Sequence, residues 1–329
     1  MPHHSNKTLI ILIGNARGGE ETWSTMYKNL LEPYQADLAL CFGEEKEKKS
    51  SLYQRATYLW EIPEYANWRE FYESNFPANW DGFMKNQRFK YAALMGGIDD
   101  NKGSGAIIFA FRHYLLKNQL STLQQYDRII LTRSDFYYID QQPILPLGKL
   151  YAVEGEEYGG VSDRHFIFDS GMSEEVLGIL NFLCDKQNFD MLNQLEKDSI
   201  NPEKALLLFF KHNHIFEKLA FHKRVQFTVG AEGDSSRWQN PSHFIPGLNG
   251  VKYKYVTEYE DALWNSMKKN GLFSKSTYLY LLHFSHKFFF TKAGYYKMAK
   301  ALFYPFKMAF PSTYQTIYTY YFPVKNFEK

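Results

Sequence analysis

Cysteine is almost absent: Cys41 and Cys184 are the two in 329 residues, and both sit among apolar neighbours. That excludes a disulfide-built scaffold and fits buried thiols in a reducing compartment. Long apolar runs are also missing. No stretch reaches the ~18 consecutive apolar residues of a spanning helix. Leu9 to Ile13 with Gly14 is too short for the core of a secretory leader. The expectation is therefore a cytoplasmic chain without a transmembrane anchor. Neither a Gly-x-Gly-x-x-Gly fingerprint nor a Walker A loop occurs, and His212, His214 and His222 lack the spacing of a zinc site. No recognised nucleic-acid motif occurs either, so no nucleic-acid partner is expected. Acidic residues are scarce at one end only: residues 266–329 hold ten Lys and one Glu, a charge of about +9 against about −7 for residues 1–265.

Aromatic side chains make up 18% of the chain, enough for a bulky core and for surfaces that stack sugars or bases. The length suits one large α/β domain with an appendage, divided here as 1–265 and 266–329. Lys7 to Gly19 reads as a first strand ending in a glycine turn before a helix around Trp23 to Leu31. Gly14, Asn15 and Arg17 lie in that turn, where a nucleotide-binding fold approaches base and ribose. A plain structural turn is the competing reading. Further strands are expected at Ala36–Phe42, Leu59–Pro63, Leu150–Val153 and Phe166–Phe168, with Lys223–Val229 as the last. The helix Ala106–Gln119 follows a glycine-rich run, and Ser104 at its start is a candidate to receive a phosphate on free backbone N–H groups. Asp99 and Asp100 read as capping or loop residues, and Asn201-Pro202-Glu203 as ordinary helix capping.

The stretch Tyr126-Asp127-Arg128-Ile129-Ile130-Leu131-Thr132-Arg133-Ser134-Asp135-Phe136-Tyr137-Tyr138 organises the rest. Its apolar run reads as a buried strand that ends in polar side chains, at the end of a sheet where α/β proteins bind ligands. Two residues apart on extended chain, Arg133 and Asp135 leave the same face. One can fork onto a phosphate and the other can hold a hard cation, a pairing that suits a nucleotide diphosphate. Phe136-Tyr137-Tyr138 either lines an acceptor trough or covers the sheet.

That block, with Glu154-Gly155-Glu156-Glu157-Tyr158-Gly159-Gly160 and Asp163-Arg164-His165 after it, resembles bacterial and viral glycosyltransferase-like proteins of the GT-A type. The resemblance covers roughly residues 7–240. It implies a GT-A-like, Rossmann-like α/β mixed sheet flanked by helices, and transfer of a sugar from a nucleotide diphosphate-sugar donor to a glycan or other hydroxyl acceptor. In such proteins an Asp-x-Asp motif holds Mn²⁺ or Mg²⁺ on the donor diphosphate. Here Arg133 replaces the first Asp, leaving Asp135 as the metal ligand and metal dependence open. The resemblance also assigns Arg112, on the helix before the strand, to the donor. It makes Asp163, then Glu157, the carboxylate that deprotonates or orients the acceptor, with His165 as base or hydrogen-bond partner. A late His, His283 or His286, could complete a metal site, and Asp234, Arg237 and Trp238 resemble a further stretch of the same proteins. A non-catalytic carbohydrate- or nucleotide-binding relative is the alternative. The basic, aromatic tail 266–329 suits either a helical lid or contact with an anionic membrane surface, which would make the chain a membrane-surface adaptor.

Overall fold

The computed structural model describes residues 6–44, 48–63, 65–78, 80, 104–155, 157–195, 200–230, 243–245, 247–248, 251–271 and 273–288. Strand β1 (Thr8–Gly14) leads through a glycine turn to α1 (Gly19–Met26), a π-helical turn Tyr27–Leu31 and the short α2 (Glu32–Tyr34). Then come β2 (Asp37–Gly43), α3 (Ser51–Arg55), β3 (Tyr58–Ile62), α4 (Arg69–Asn75) and α5 (Ser104–Leu123). Strands β4 (Arg128–Thr132), β5 (Phe136–Tyr138), β6 (Leu150–Val153) and β7 (Phe166–Asp169) precede α6 (Ser173–Leu177), α7 (Ile179–Leu183), α8 (Lys186–Leu195) and α9 (Pro202–His212). The remaining elements are β8 (Leu219–His222), β9 (Gln226–Gly230), β10 (His243–Phe244), β11 (Lys252–Tyr253), α10 (Val256–Asn270) and α11 (Lys275–Phe288).

Among the described residues the strands form a seven-stranded sheet, ordered β3-β2-β1-β4-β7-β6-β8, and a four-stranded sheet, ordered β10-β11-β9-β5. β3, β2, β1 and β4 run parallel, while β7 runs antiparallel to both β4 and β6. Fully covered parallel strands read as continuous apolar runs, and β1 shows why. Its Leu9, Ile11 and Ile13 enter one core with α4, α5 and α9, while Ile10 and Leu12 enter another with Trp23, Met26 and Leu30. The expected α/β mixed sheet flanked by helices is therefore present.

One helical stretch is divided, and two local expectations change. Ser173–Leu177 and Ile179–Leu183 are separated at Gly178, where an added Cβ would stand 2.6 Å from the Glu174 carbonyl oxygen. β9 is not the last strand, because β11 pairs with it and β10 with β11, all antiparallel. Residues 265 and 266 both lie inside α10, so no boundary falls between them. Met267 of α10 and Leu279 and Tyr280 of α11 share the small sheet's core with Tyr137, Phe227 and Val229. Up to Phe288 the expected appendage is part of the fold; the remainder, 289–329, lies outside the described residues, as do Asp99, Asp100, Asp234, Arg237 and Trp238. Among the described residues no helix is long and apolar enough to cross a membrane.

Capping at the start of α9 follows the sequence. Asn201 accepts from the Lys204 N–H at 2.7 Å, and Pro202 opens α9. If α11 belongs to the small sheet's core, Leu279→Ala should lower stability by about 3 kcal/mol, read by urea unfolding as a single shifted transition. A wild-type midpoint retained by this variant would show that α11 is an independent appendage.

Candidate functional site

Strand direction gathers the site at one edge of the large sheet. The carboxyl ends of β1 and β4 lie side by side, with Leu12 opposite Thr132, and β2 and β3 continue on the other side of β1. The chain thus leaves β1 in one direction and has β4 in the other, the arrangement that opens a crevice in α/β sheets. β7 runs against β4, with Leu131 opposite Phe166, so the loop that enters β7 reaches the same edge.

Beyond Thr132 the chain turns from the large sheet into the small one within three residues, and this corner is heavily fastened. The buried Ser134 hydroxyl donates to the Asn15 carbonyl at 2.6 Å and accepts from the Arg17 N–H at 3.0 Å. Val229 N–H donates to the Asp135 carbonyl at 2.9 Å. Gly18 lies against the corner at φ 92°, where a Cβ would stand 3.2 Å from Asp135 Cα. Glycine alone meets both demands without strain.

Arg133 and Asp135 lie in the turn after β4 rather than on the extended chain that the shared-face expectation requires, and they bind each other. Nε donates to Asp135 Oδ1 at 2.7 Å and Nη2 to Oδ2 at 2.6 Å, with the carboxylate 4% exposed. Burial pushes the Asp135 carboxyl up, yet the Arg133 guanidinium, with Lys254 and Arg17 behind it, holds it below the usual carboxylate range. Burial likewise disfavours the Arg133 charge, and Asp135 more than compensates.

Three further cations converge on this pair from distant parts of the chain. Arg17 comes from the turn after β1, Arg164 from the loop before β7, and Lys254 from the turn between β11 and α10. Burial pushes the Lys254 ammonium down to about 8; Arg133, Arg164 and Arg17 add to the shift and Asp135 opposes it. Two tyrosines flank the cluster. The Arg164 guanidinium lies 5.4 Å from the Tyr255 ring centroid and 5.9 Å from that of Tyr158, an exposed residue at φ 44°.

Glu258, 2% exposed in the first turn of α10, locks the arrangement. Its carboxylate accepts from the Thr228 N–H at 2.9 Å and hydroxyl at 2.8 Å, lies 2.7 Å from Arg164 Nη1, and lies 3.8 Å from Arg224 Nη1. Small sheet, loop and helix therefore meet on one buried carboxylate. In sequence, Glu258 reads as an ordinary first-turn acid and Lys254 as an exposed turn residue; neither carries a local signal for this site.

The other candidates are distributed as follows. Gly14 ends β1 at φ 113°, and the Asn15 side chain is exposed beside the crevice. Ser104 opens α5, and its side chain lies outside the described residues. Arg112 is fully buried and does not reach the donor side: its Nη2 donates to the Asp163 carbonyl at 2.7 Å and its guanidinium stands 4.9 Å from the Phe166 ring. Burial pushes it down to about 10, with Asp163 opposing. It holds the loop's main chain in place.

Asp163 is partly exposed and acts electrostatically on Arg112 and Arg133, so it belongs to the cluster. Glu157 turns back on its own loop, accepting from the Gly155 N–H at 3.0 Å. Gly160 presses that loop onto α9 so closely that a Cβ would collide with the Glu203 carbonyl, and Val161 N–H donates to the same oxygen at 2.9 Å. His165 is 0% exposed, Nδ1 2.8 Å from Thr132 Oγ1 and its ring 5.5 Å from that of His222. Its Nε2 makes no hydrogen bond among the described residues, and burial, His222 and Arg224 keep it neutral. Of the two expected roles, base or hydrogen-bond partner, the interior imidazole makes the second, to Thr132. His283 is also interior, 3.2 Å from Glu260 and edge-on to Tyr259. Among the described residues no group of three or more His, Cys, Asp or Glu side chains is placed to hold a metal ion. No protein-family model matches the chain, and no curated protein matches it.

Two outcomes follow. Glu258→Ala strands two buried guanidiniums and should cost about 3–5 kcal/mol; the double variant Glu258→Ala/Arg164→Ala should recover part of that loss in chemical denaturation. Burial above all, with Arg224 adding, pushes His222 down to about 4, below the unfolded value of 6.5. The unfolded chain therefore binds the extra proton as pH falls from about 6.5 to about 4, so stability is complete above that window and lost through it. His222→Gln should remove about 3 kcal/mol of the wild-type loss between pH 7 and pH 4. Equal pH slopes for variant and wild type would contradict this.

Proposed function

We propose that the chain is a GT-A-like glycosyltransferase, binding a nucleotide diphosphate-sugar across the carboxyl ends of β1 and β4 and passing the sugar to a hydroxyl acceptor. The observation that carries this reading is the bidentate Arg133–Asp135 pair at the carboxyl end of β4, on which Arg17 and Lys254 also act, with Arg164 held by Glu258 beside them. Fixed cations there match a pyrophosphate and oppose the charge that grows on a leaving nucleoside diphosphate. Asn15 and Arg17 stand where the first loop of the sheet meets base and ribose. Tyr158 and Tyr255 offer aromatic faces beside the cations.

Asp163 is the carboxylate retained for the acceptor. Partly exposed and within the field of Arg112 and Arg133, it can accept a hydrogen bond from the attacking hydroxyl, whether it takes the proton or leaves that to the donor phosphate. The glycan acceptor and any contact of 266–329 with an anionic membrane surface belong to the same proposal. Exposed Phe273, Tyr278 and Leu281 near α11 are its apolar component.

Isothermal titration with UDP, GDP and their sugar conjugates, followed by donor hydrolysis, tests the reading. Binding at micromolar levels with slow release of the free nucleotide is expected. Arg133→Ala should weaken binding roughly tenfold or more, while Asp163→Asn should spare binding and remove turnover. Binding without turnover in any acceptor screen would favour a non-catalytic relative, and no binding of any nucleotide would sink the proposal.

A further inference from the structure

Resting on the reading of this crevice as a diphosphate site, we infer that the site takes its diphosphate without a divalent cation. Arg133, held by Asp135, supplies with Arg17 and Lys254 the positive charge that Mn²⁺ or Mg²⁺ would otherwise bring, beside an Arg164 that Glu258 holds in place. Asp135 is then a positioning residue and Arg133 the binding one.

The case begins with the carboxylate. A hard divalent cation needs several oxygen ligands at close range, with water completing the shell. Both oxygens of Asp135 are already engaged, at 2.7 and 2.6 Å, by two N–H groups of Arg133, and the residue is 4% exposed. A metal bound there must displace a buried, bidentate guanidinium pair. Removing one partner from such a pair leaves the other uncompensated.

Electrostatics point the same way. Arg17, Arg133, Arg164 and Lys254 surround Asp135, and Asp163 is the other carboxylate acting on Arg133. Glu258 Oε2 accepts twice from Thr228, and its carboxylate is ion-paired with Arg164 at 2.7 Å and lies 3.8 Å from Arg224. Burial first, then Arg133, Arg164 and Arg17, make Lys254 a weak holder of its proton, with Asp135 opposing; the cations' share of that effect is hostile to a divalent cation and favourable to an anion.

Geometry supplies the replacement. With Nε and one hydrogen of Nη2 turned to Asp135, the guanidinium has Nη1 and the outer Nη2 hydrogen without a partner among the described residues, and the side chain is 22% exposed. Its plane is fixed by the carboxylate behind it, so a phosphate meets donors that need no reordering. The chemistry recognised is a pyrophosphate dianion or trianion, whatever nucleoside it carries.

The test is calorimetric titration of the full chain with UDP, GDP and inorganic pyrophosphate, in EDTA and again at fixed free Mn²⁺ or Mg²⁺. Affinities should agree within about threefold across those conditions. Asp135→Asn, with its fold checked by thermal melting, should weaken all three ligands equally with and without cation. Arg133→Lys should not restore what Arg133→Ala loses, because an ammonium cannot be held by two parallel bonds. Nucleotide that binds tenfold or more tightly with Mn²⁺, an advantage absent in Asp135→Asn, would overturn the inference and leave the donor reading standing. Pyrophosphate bound in EDTA while no nucleotide binds would uphold the inference and remove the donor reading. Failure of all three ligands under every condition would remove both.

Discussion

The corner between Thr132 and Phe136 is the constraint on which the rest depends. Within three residues the chain passes from a parallel strand of the large sheet to an antiparallel strand of the small one. A turn this abrupt strands backbone and side-chain polar groups in the interior, and each needs a partner. Ser134 finds its partners in the first loop, and the Asp135 carbonyl finds its own in β9. The Asp135 carboxylate finds Arg133. One short segment therefore joins the two sheets and aims a guanidinium at the crevice, so folding and binding geometry have a common cause.

Charge around the corner is arranged in two layers. The inner layer is compensated: Glu258 meets Arg164 and Arg224, and Arg112 is held against the main chain of Asp163. In the outer layer, Arg17, Lys254 and the outer edge of Arg133 share Asp135, with no further ion pair of their own among the described residues. Buried pairs contribute little net stability but fix geometry, because breaking one is far costlier than making it is favourable. The inner layer thus sets where the loops lie, and the outer layer keeps a surplus of positive charge for a ligand.

Much of the scaffold is legible in the sequence. β1, β2 and β4 are unbroken apolar runs because both faces of each are covered, and Leu150–Val153 matches β6 residue for residue. The nearness of Arg133 and Asp135 is legible in their spacing, but the turn that holds them is not, and spacing cannot tell a pair that binds a ligand from a pair that binds itself. The run Asp163-Arg164-His165 offers three polar residues with no local sign that His165 turns inward. Glu258 and Lys254 are harder still. Their partners lie far away in sequence, and the two-residue strands that bring them close have too little periodicity to register. The small sheet's dependence on α10 and α11 is hidden in the same way, because a Lys-rich composition argues for a separate tail while Met267, Leu279 and Tyr280 fill a core.

A guanidinium fixed by the protein differs physically from a cation recruited from solution. Mn²⁺ or Mg²⁺ must shed water and be ordered with each ligand, and its charge leaves when it dissociates. Arg133 loses its rotamer freedom once, during folding, because Asp135 and the corner hold it. Its charge is more diffuse, so a single guanidinium opposes a diphosphate less strongly than a divalent ion. On the proposed reading that deficit is the reason to expect several cations rather than one, and Arg17 and Lys254 arrive on separate elements at the same edge, beside an Arg164 held by Glu258. An arginine among further cations would then be a different solution to the same electrostatic problem.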